Sequence, residues 1–432
     1  MTSYRLSIAM FVALLCAAEL GGQYAADRFP MNEIQVIGSH NSYKRAIEPP
    51  LLQLLLKLDK DRYTPLEYSH APYSEQMDLG VRGLEIDVVY DPKGGMYAKP
   101  LGMEMLKGRG VTPAAYDANG EKLKPGFKVI HVPDVDFRSH TYTLRESLRQ
   151  LRAWSDAHPR HLPIAITMNA KDAGAGFPNA LQPLPFDDAA FNAWDAEIRE
   201  ILPPQKLLTP DDVRADFPTL EAAVRAHAWP SLEKARGRFL FVLDETGEKM
   251  ETYIKGHPSL KGRVMFVNAL EGRPEAAFII ANEPITQFHY IRKMVQAGYL
   301  VRTRADADTF EARSGDTARL QAAIESGAHI ISADYYRPNP DFDTGYQVRL
   351  PGGVLFRWNP LLLAPGRTPR YPNDYGGRSC LKLLLRCHKR VNLAGYHQYV
   401  DASLGQLRPP VRKVFPKPHC FGFGRRLSSG RH

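Results

Sequence analysis

Gly83-Leu84-Glu85-Ile86-Asp87-Val88-Val89-Tyr90 is the stretch on which the fold turns. Its apolar residues run almost unbroken, as in a strand covered on both faces within a parallel sheet. Glu85 and Asp87 interrupt it two residues apart, so both side chains leave the strand on the same side. Unpaired carboxylates in a buried strand are costly, and a partner is expected for them. A hard cation is one such partner, since Ca2+ takes oxygen ligands from Asp, Glu and Asn.

Seven more apolar, β-prone runs occupy residues 34–38, 127–132, 163–168, 239–244, 264–268, 300–304 and 329–334. Amphipathic, helix-like stretches at 143–157, 187–202, 220–228, 285–297 and 316–326 lie between them. Strands alternating with helices predict parallel βαβ units. Eight of them over roughly 300 residues predict a distorted (β/α)8 TIM barrel. A doubly wound open sheet is the alternative, but no Gly-rich phosphate loop follows the first run. Residues 91–125 form a long Gly/Lys-rich excursion, and the Pro- and Gly-rich residues 335–365 are expected to wrap the barrel.

The ends of the chain differ from its body. Arg5 precedes an apolar run at 8–18 that is too short to span a bilayer, so residues 1–25 read as a secretory signal. Residues 366–432 hold fourteen Lys or Arg against two acids, a net +12. The formal +9 of the whole chain therefore leaves −3 for the rest, with the barrel expected at 30–360. A nearly neutral body without an aromatic-interleaved basic groove argues against nucleic acid as a partner. The Arg/Pro/Gly-biased tail reads as poorly structured, either simply solvated or drawn to an anionic lipid surface at about 1 kcal/mol per basic residue. The body has no cysteine, and Cys380, Cys387 and Cys420 in the tail do not make a usual zinc spacing with His388 and His419.

Polar residues collect where the runs end. The first ends in Ser39-His40-Asn41-Ser42, and the third in His131 with Asp134 and Asp136 beyond it. Asn169, Lys171 and Asp172 close the fourth, Asp244-Glu245 the fifth, Arg302 and Arg304 the seventh, and Asp334 the eighth. Barrels of this kind build their sites at those C-terminal strand ends. Each residue alone is weak evidence, since a lone histidine near a strand end is more often structural. Histidine is a poor calcium ligand, which leaves His40 and His131 for acid–base work.

Four blocks resemble, in order, the calcium-dependent phosphoinositide-specific phospholipases C of bacterial type. They are Ile37-Gly38-Ser39-His40-Asn41-Ser42-Tyr43, Tyr68-Ser69-His70 with Gln76, Gly80-Val81-Arg82-Gly83-Leu84-Glu85-Ile86-Asp87, and Val129-Ile130-His131. The likeness extends over residues 33–359. It implies a distorted barrel that cleaves phosphatidylinositol or a related phosphodiester, with Ca2+ as cofactor, transiently at a membrane surface, in a secreted or periplasmic setting. His40 would stabilise the phosphorane and His131 would protonate the leaving alkoxide. Asn41, Glu85 and Asp87 would bind calcium, with Glu85 also taking the proton of the attacking hydroxyl. Asn169 stands at or beside the family's fourth, acidic ligand, a departure that removes one negative charge. Lys171 and Arg304 are candidates to hold a phosphate, with ordinary salt bridges as the competing reading. Asp244-Glu245 argue against polyphosphorylated headgroups. A glycerophosphodiester phosphodiesterase and a non-catalytic lipid or sugar-phosphate binding protein are the alternatives.

Overall fold

Parallel pairing dominates the computed structural model, which describes residues 28–363. The expected signal at 1–25 and the basic tail at 366–432 lie outside the described residues. The strands are β1 (Ile34–Ser39), β2 (Gly83–Val89), β3 (Lys128–Val129), β4 (Ile164–Ala170), β5 (Phe239–Leu243), β6 (Phe266–Val267), β7 (Phe278–Ile280), β8 (Leu300–Arg304), β9 (Ile330–Ala333) and β10 (Phe356–Trp358). Eight of them run parallel in the order β6-β5-β4-β2-β1-β9-β8-β7. A parallel bridge from Asn268 to Phe278 brings the two ends together, and Asn268 Oδ1 accepts from Ile280 N at 3.0 Å. The result is a nearly closed barrel of the expected class.

One expected barrel strand is wrong. Residues 127–132 supply only the two-residue β3, antiparallel to β2 and outside the ring. The run carries Lys128, whose buried ammonium sits 3.2 Å from Asp91 and bonds the carbonyls of Lys124 and Gly126, so the loop claims it. The missing barrel strand is β7, three residues inside the apolar stretch 276–281. The segment after β9 does lie against the barrel, where β10 pairs antiparallel with β1.

Helices cover the ring through one face each. Leu144–Ala157 buries Leu144, Leu148, Leu151 and Trp154, and starts where Thr143 accepts from Glu146 N at 3.2 Å. Asp188–Ile201 starts from Asp187, which accepts from Ala190 N at 2.8 Å, and packs Trp194 5.5 Å from the Phe127 ring.

The junction of β1 and β2 positions the site. They share a single register pair, Gly38 with Gly83. A Cβ on Gly83 would lie 2.6 Å from Ile330 Cγ2 and 3.1 Å from Gly38 Cα, so only glycine lets the strands approach. Beyond the pair the ladder opens, and Ser42 fills the gap. Its Oγ accepts from Glu85 N at 2.8 Å, and its N–H donates to Glu85 O at 2.9 Å.

Candidate active site

The two serines of Ser39-His40-Asn41-Ser42 are scaffold. Their hydroxyls lie 2.6 Å apart, and Ser39 Oγ donates to Gln76 Oε1 at 2.6 Å. Gln76 Nε2 returns a bond to Ser42 O at 2.7 Å. His70 Nε2 donates to His40 O at 2.6 Å. Tyr68 OH accepts from Asn41 Nδ2 at 2.7 Å and lies 3.4 Å from His40 Nδ1. Asn41 turns the chain at φ +48°, a region that asparagine tolerates better than most residues.

Asp334, at the end of β9, orients His40. Its Oδ1 lies 2.8 Å from His40 Nδ1, while Oδ2 accepts from Arg304 Nη2 at 3.0 Å. The proton thus belongs on Nδ1, and the Nε2 lone pair faces Glu85 Oε1 at 3.6 Å. Burial holds the His40 pKa well below its usual value. Arg304, Arg302 and His131 add to that effect and Glu85 opposes it. His40 is therefore neutral and able to accept a proton.

His131 is built the same way. Its Nδ1 lies 2.7 Å from Asp136 Oδ2, and that oxygen lies 3.1 Å from the buried Lys44 ammonium. Lys44 also donates to the carbonyls of Leu66 at 3.0 Å and Tyr68 at 3.1 Å. Burial works against the Asp136 carboxylate, yet Lys44 and His131 together hold its pKa below the usual range. Ile130 N donates to Asp87 O at 3.4 Å, setting His131 beside β2 despite the shortness of β3.

Between the histidines, every carboxylate oxygen of Glu85 and Asp87 has a neighbouring donor. Arg302 Nη2 bonds Glu85 Oε2. Asn169 Nδ2 donates to Glu85 Oε1 at 3.2 Å and Asp87 Oδ1 at 2.9 Å. Lys171 Nζ lies 3.2 Å from Asp87 Oδ2, and Asp87, against burial, raises its pKa. Asn41 Oδ1 is buried and has no partner among the described residues. A buried side-chain oxygen without a donor suits a hard cation. Turning the Asn169 amide would offer a fourth side-chain oxygen, since its N and O are interchangeable in shape. Among the described residues no three His, Cys, Asp or Glu side chains form a metal cluster, so any such site would be half amide.

His40, Asn41, Glu85, Asp87, Asn169, Lys171 and Arg304 converge as the sequence suggests, with His131 beside them. Lys171 and Arg304 both stand in ion pairs within the site. Asp334, Asp136, Lys44, Tyr68 and Arg302 are the additions. Asp334 and Arg302 were visible as polar strand ends, but nothing in the sequence says which carboxylate backs which histidine. Asp134 instead organises backbone, accepting from Leu101 N at 2.8 Å and Leu181 N at 2.7 Å. Asp172 pairs with Lys249 at 2.9 Å rather than replacing an acid at Asn169.

The chain is similar to several solved structures. A calcium-dependent phosphoinositol-specific phospholipase C from Pseudomonas sp. is 17% identical, covering 77% of this chain and 96% of its own at a TM-score of 0.46. A Ca2+-dependent enzyme from Streptomyces antibioticus is 18% identical, covering 73% and 98% at a TM-score of 0.44. The phosphatidylinositol-specific phospholipase C of Listeria monocytogenes is 11% identical, covering 71% and 89% at a TM-score of 0.38. No curated protein matches by sequence. The sequence profile described as phosphoinositide phospholipase C, Ca2+-dependent, matches residues 29–360. The chain belongs to that calcium-dependent phosphoinositide phospholipase C family.

Proposed function

We propose that the chain cleaves phosphatidylinositol, or a closely related phosphodiester, by in-line attack with His40 and His131 moving the protons. One observation supports this above the others. Two histidines each have a carboxylate behind Nδ1, at 2.8 Å for Asp334 and 2.7 Å for Asp136, and both border the Glu85–Asp87 strand end.

The inositol 2-hydroxyl gives its proton to the Glu85 Oε1–His40 Nε2 pair as its oxygen bonds to phosphorus. The imidazolium so formed, with Arg304 beside it, lies where charge builds on the phosphorane. His131, oriented by Asp136 behind its Nδ1, gives a proton to the leaving alkoxide, which departs as diacylglycerol. Water opens the cyclic phosphate by the reverse route. Acid–base catalysis of this kind contributes about 10²–10⁴-fold. Asn41, Glu85, Asp87 and Asn169 would hold Ca2+, which when bound supplies positive charge to the phosphate oxygens and acidifies the attacking hydroxyl. Asp244-Glu245, just after β5, disfavour extra phosphates on the ring. With the leader read in residues 1–25, the enzyme acts outside the cytoplasm.

The test is inositol phosphate release from phosphatidylinositol vesicles, with calcium and with chelator, by wild type and His40→Ala. Turnover lost in the variant supports the reading. Turnover only of glycerophosphocholine points to a glycerophosphodiester phosphodiesterase. Binding without turnover of any diester points to a lipid or sugar-phosphate binding protein, a reading that Asn169 favours.

A further inference from the structure

Lys171 and Arg302 both neutralise the candidate calcium ligands, but they are held very differently. Arg302 is buried, and besides Glu85 it bonds Ser332 Oγ at 3.1 Å and Asn282 Oδ1 at 2.8 Å. It is a fixed part of the wall. The Lys171 side chain is 34% exposed, and among the described residues its ammonium has one ion-pair partner, Asp87 at 3.2 Å. The backbone of Lys171 stays tied to the sheet through a 2.9 Å bond from its N–H to Val88 O. Only the side chain is free to leave. A cation held by Asp87 and an ammonium on the same carboxylate would repel each other, and both would compete for that carboxylate.

We propose that Lys171 is an internal counter-ion, which a divalent cation must displace from Asp87 before the site takes a phosphodiester. The inference rests on the reading of Asn41, Glu85, Asp87 and Asn169 as the cation's ligands. In the metal-free site Lys171 neutralises Asp87, sparing it the cost of an unpaired buried charge. Once displaced, the ammonium remains at the end of β4 and is available to a substrate phosphate. Lys171 then serves the cation-free state through Asp87 and the loaded state through phosphate. Cation binding comes first and substrate second. The arrangement also weakens calcium binding, because Lys171 has to be expelled. Asn169, in place of an acid, leaves the ligands one negative charge fewer with which to expel it.

The test uses the chelator-treated full chain without substrate. Calcium affinity is measured by titration calorimetry for wild type and Lys171→Met. Removing the competing charge is expected to tighten calcium binding at least tenfold. Equal or weaker binding by the variant overturns the proposal, and so does absence of calcium binding from both proteins. A second measurement needs no variant. The rate of Lys171 acetylation by an amine-reactive reagent, followed by mass spectrometry, should rise severalfold with saturating calcium as the ammonium leaves Asp87. An unchanged or slower rate overturns the proposal. Failure here with phosphatidylinositol turnover intact leaves the proposed activity standing, because that activity is assayed separately.

Discussion

Asp334 Oδ1 lies 2.8 Å from His40 Nδ1, and the opposite oxygen of the same carboxylate is held by Arg304 at 3.0 Å. The pairing fixes both the plane of the imidazole and the nitrogen that carries its proton. Asp334→Asn keeps the shape but offers an amide N–H to Nδ1, which would move the proton to Nε2 and remove the base. The kcat for phosphatidylinositol should fall about 10²–10⁴-fold with little change in thermal midpoint. An unchanged kcat would make Asp334 a structural residue only.

The glycine contact under the site makes a prediction about stability. A methyl group at residue 83 meets Ile330 Cγ2 at 2.6 Å and the Gly38 backbone at 3.1 Å, neither of which is a flexible side-chain tip. Gly83→Ala should cost about 1–3 kcal/mol in urea denaturation, as overpacking does. Because Glu85 follows two residues later on the same strand, activity should fall further than stability alone explains. A variant as stable as wild type would show that the strands can part without loss.

Acid should destabilise the barrel through buried neutral histidines away from the site. His161 donates from Nδ1 to Leu162 O at 2.6 Å and has Ser155 Oγ 2.8 Å from Nε2, and burial lowers its pKa to about 3. His329 is likewise lowered by burial, to about 4. In the unfolded chain such groups titrate near 6.5, so below that pH the unfolded state binds protons that the folded state refuses. Stability should therefore fall as pH drops from about 6.5 toward 3, at up to about 1.4 kcal/mol per pH unit for each histidine. His161→Gln should be less stable at pH 7, yet lose stability less steeply between pH 6.5 and 4 in denaturant titrations. Parallel slopes for the two proteins would count against this account of His161.

The barrel was legible because its long central strands are nearly pure apolar runs. Residues 83–90 and 163–168 each lie between parallel neighbours in the ring, where both faces are covered and the apolar pattern runs nearly unbroken. Where strands shrink to two or three residues, hydrophobic pattern stops discriminating. Residues 127–132 read as a barrel strand but make only β3, whereas Phe278–Ile280, inside the apolar stretch 276–281, is the barrel strand. The site was legible for the same reason the fold was, since polar residues at strand ends violate the apolar pattern. Its pairings were not. Asp334 reaches His40 across 294 residues of sequence, and Lys44 serves Asp136 from the loop after β1. Such contacts follow from barrel closure, which no local spacing encodes.

Asn169 supplies the last prediction. Its Nδ2 bonds Glu85 Oε1 at 3.2 Å and Asp87 Oδ1 at 2.9 Å, holding two carboxylates together with a neutral donor. Asn169→Glu would replace that donor with a third acid. In chelator the variant loses two hydrogen bonds and gains like-charge repulsion, so its thermal midpoint should lie below that of wild type by a few degrees, about 1–3 kcal/mol of destabilisation. With calcium the gap should narrow, because the added carboxylate is a better ligand than an amide. Tenfold tighter binding adds about 1.4 kcal/mol of stabilisation at saturating calcium, visible as a larger calcium-induced rise in midpoint by differential scanning fluorimetry. If calcium raises the midpoint of the variant no more than that of wild type, residue 169 does not face the cation, and the ligand set must be drawn without it.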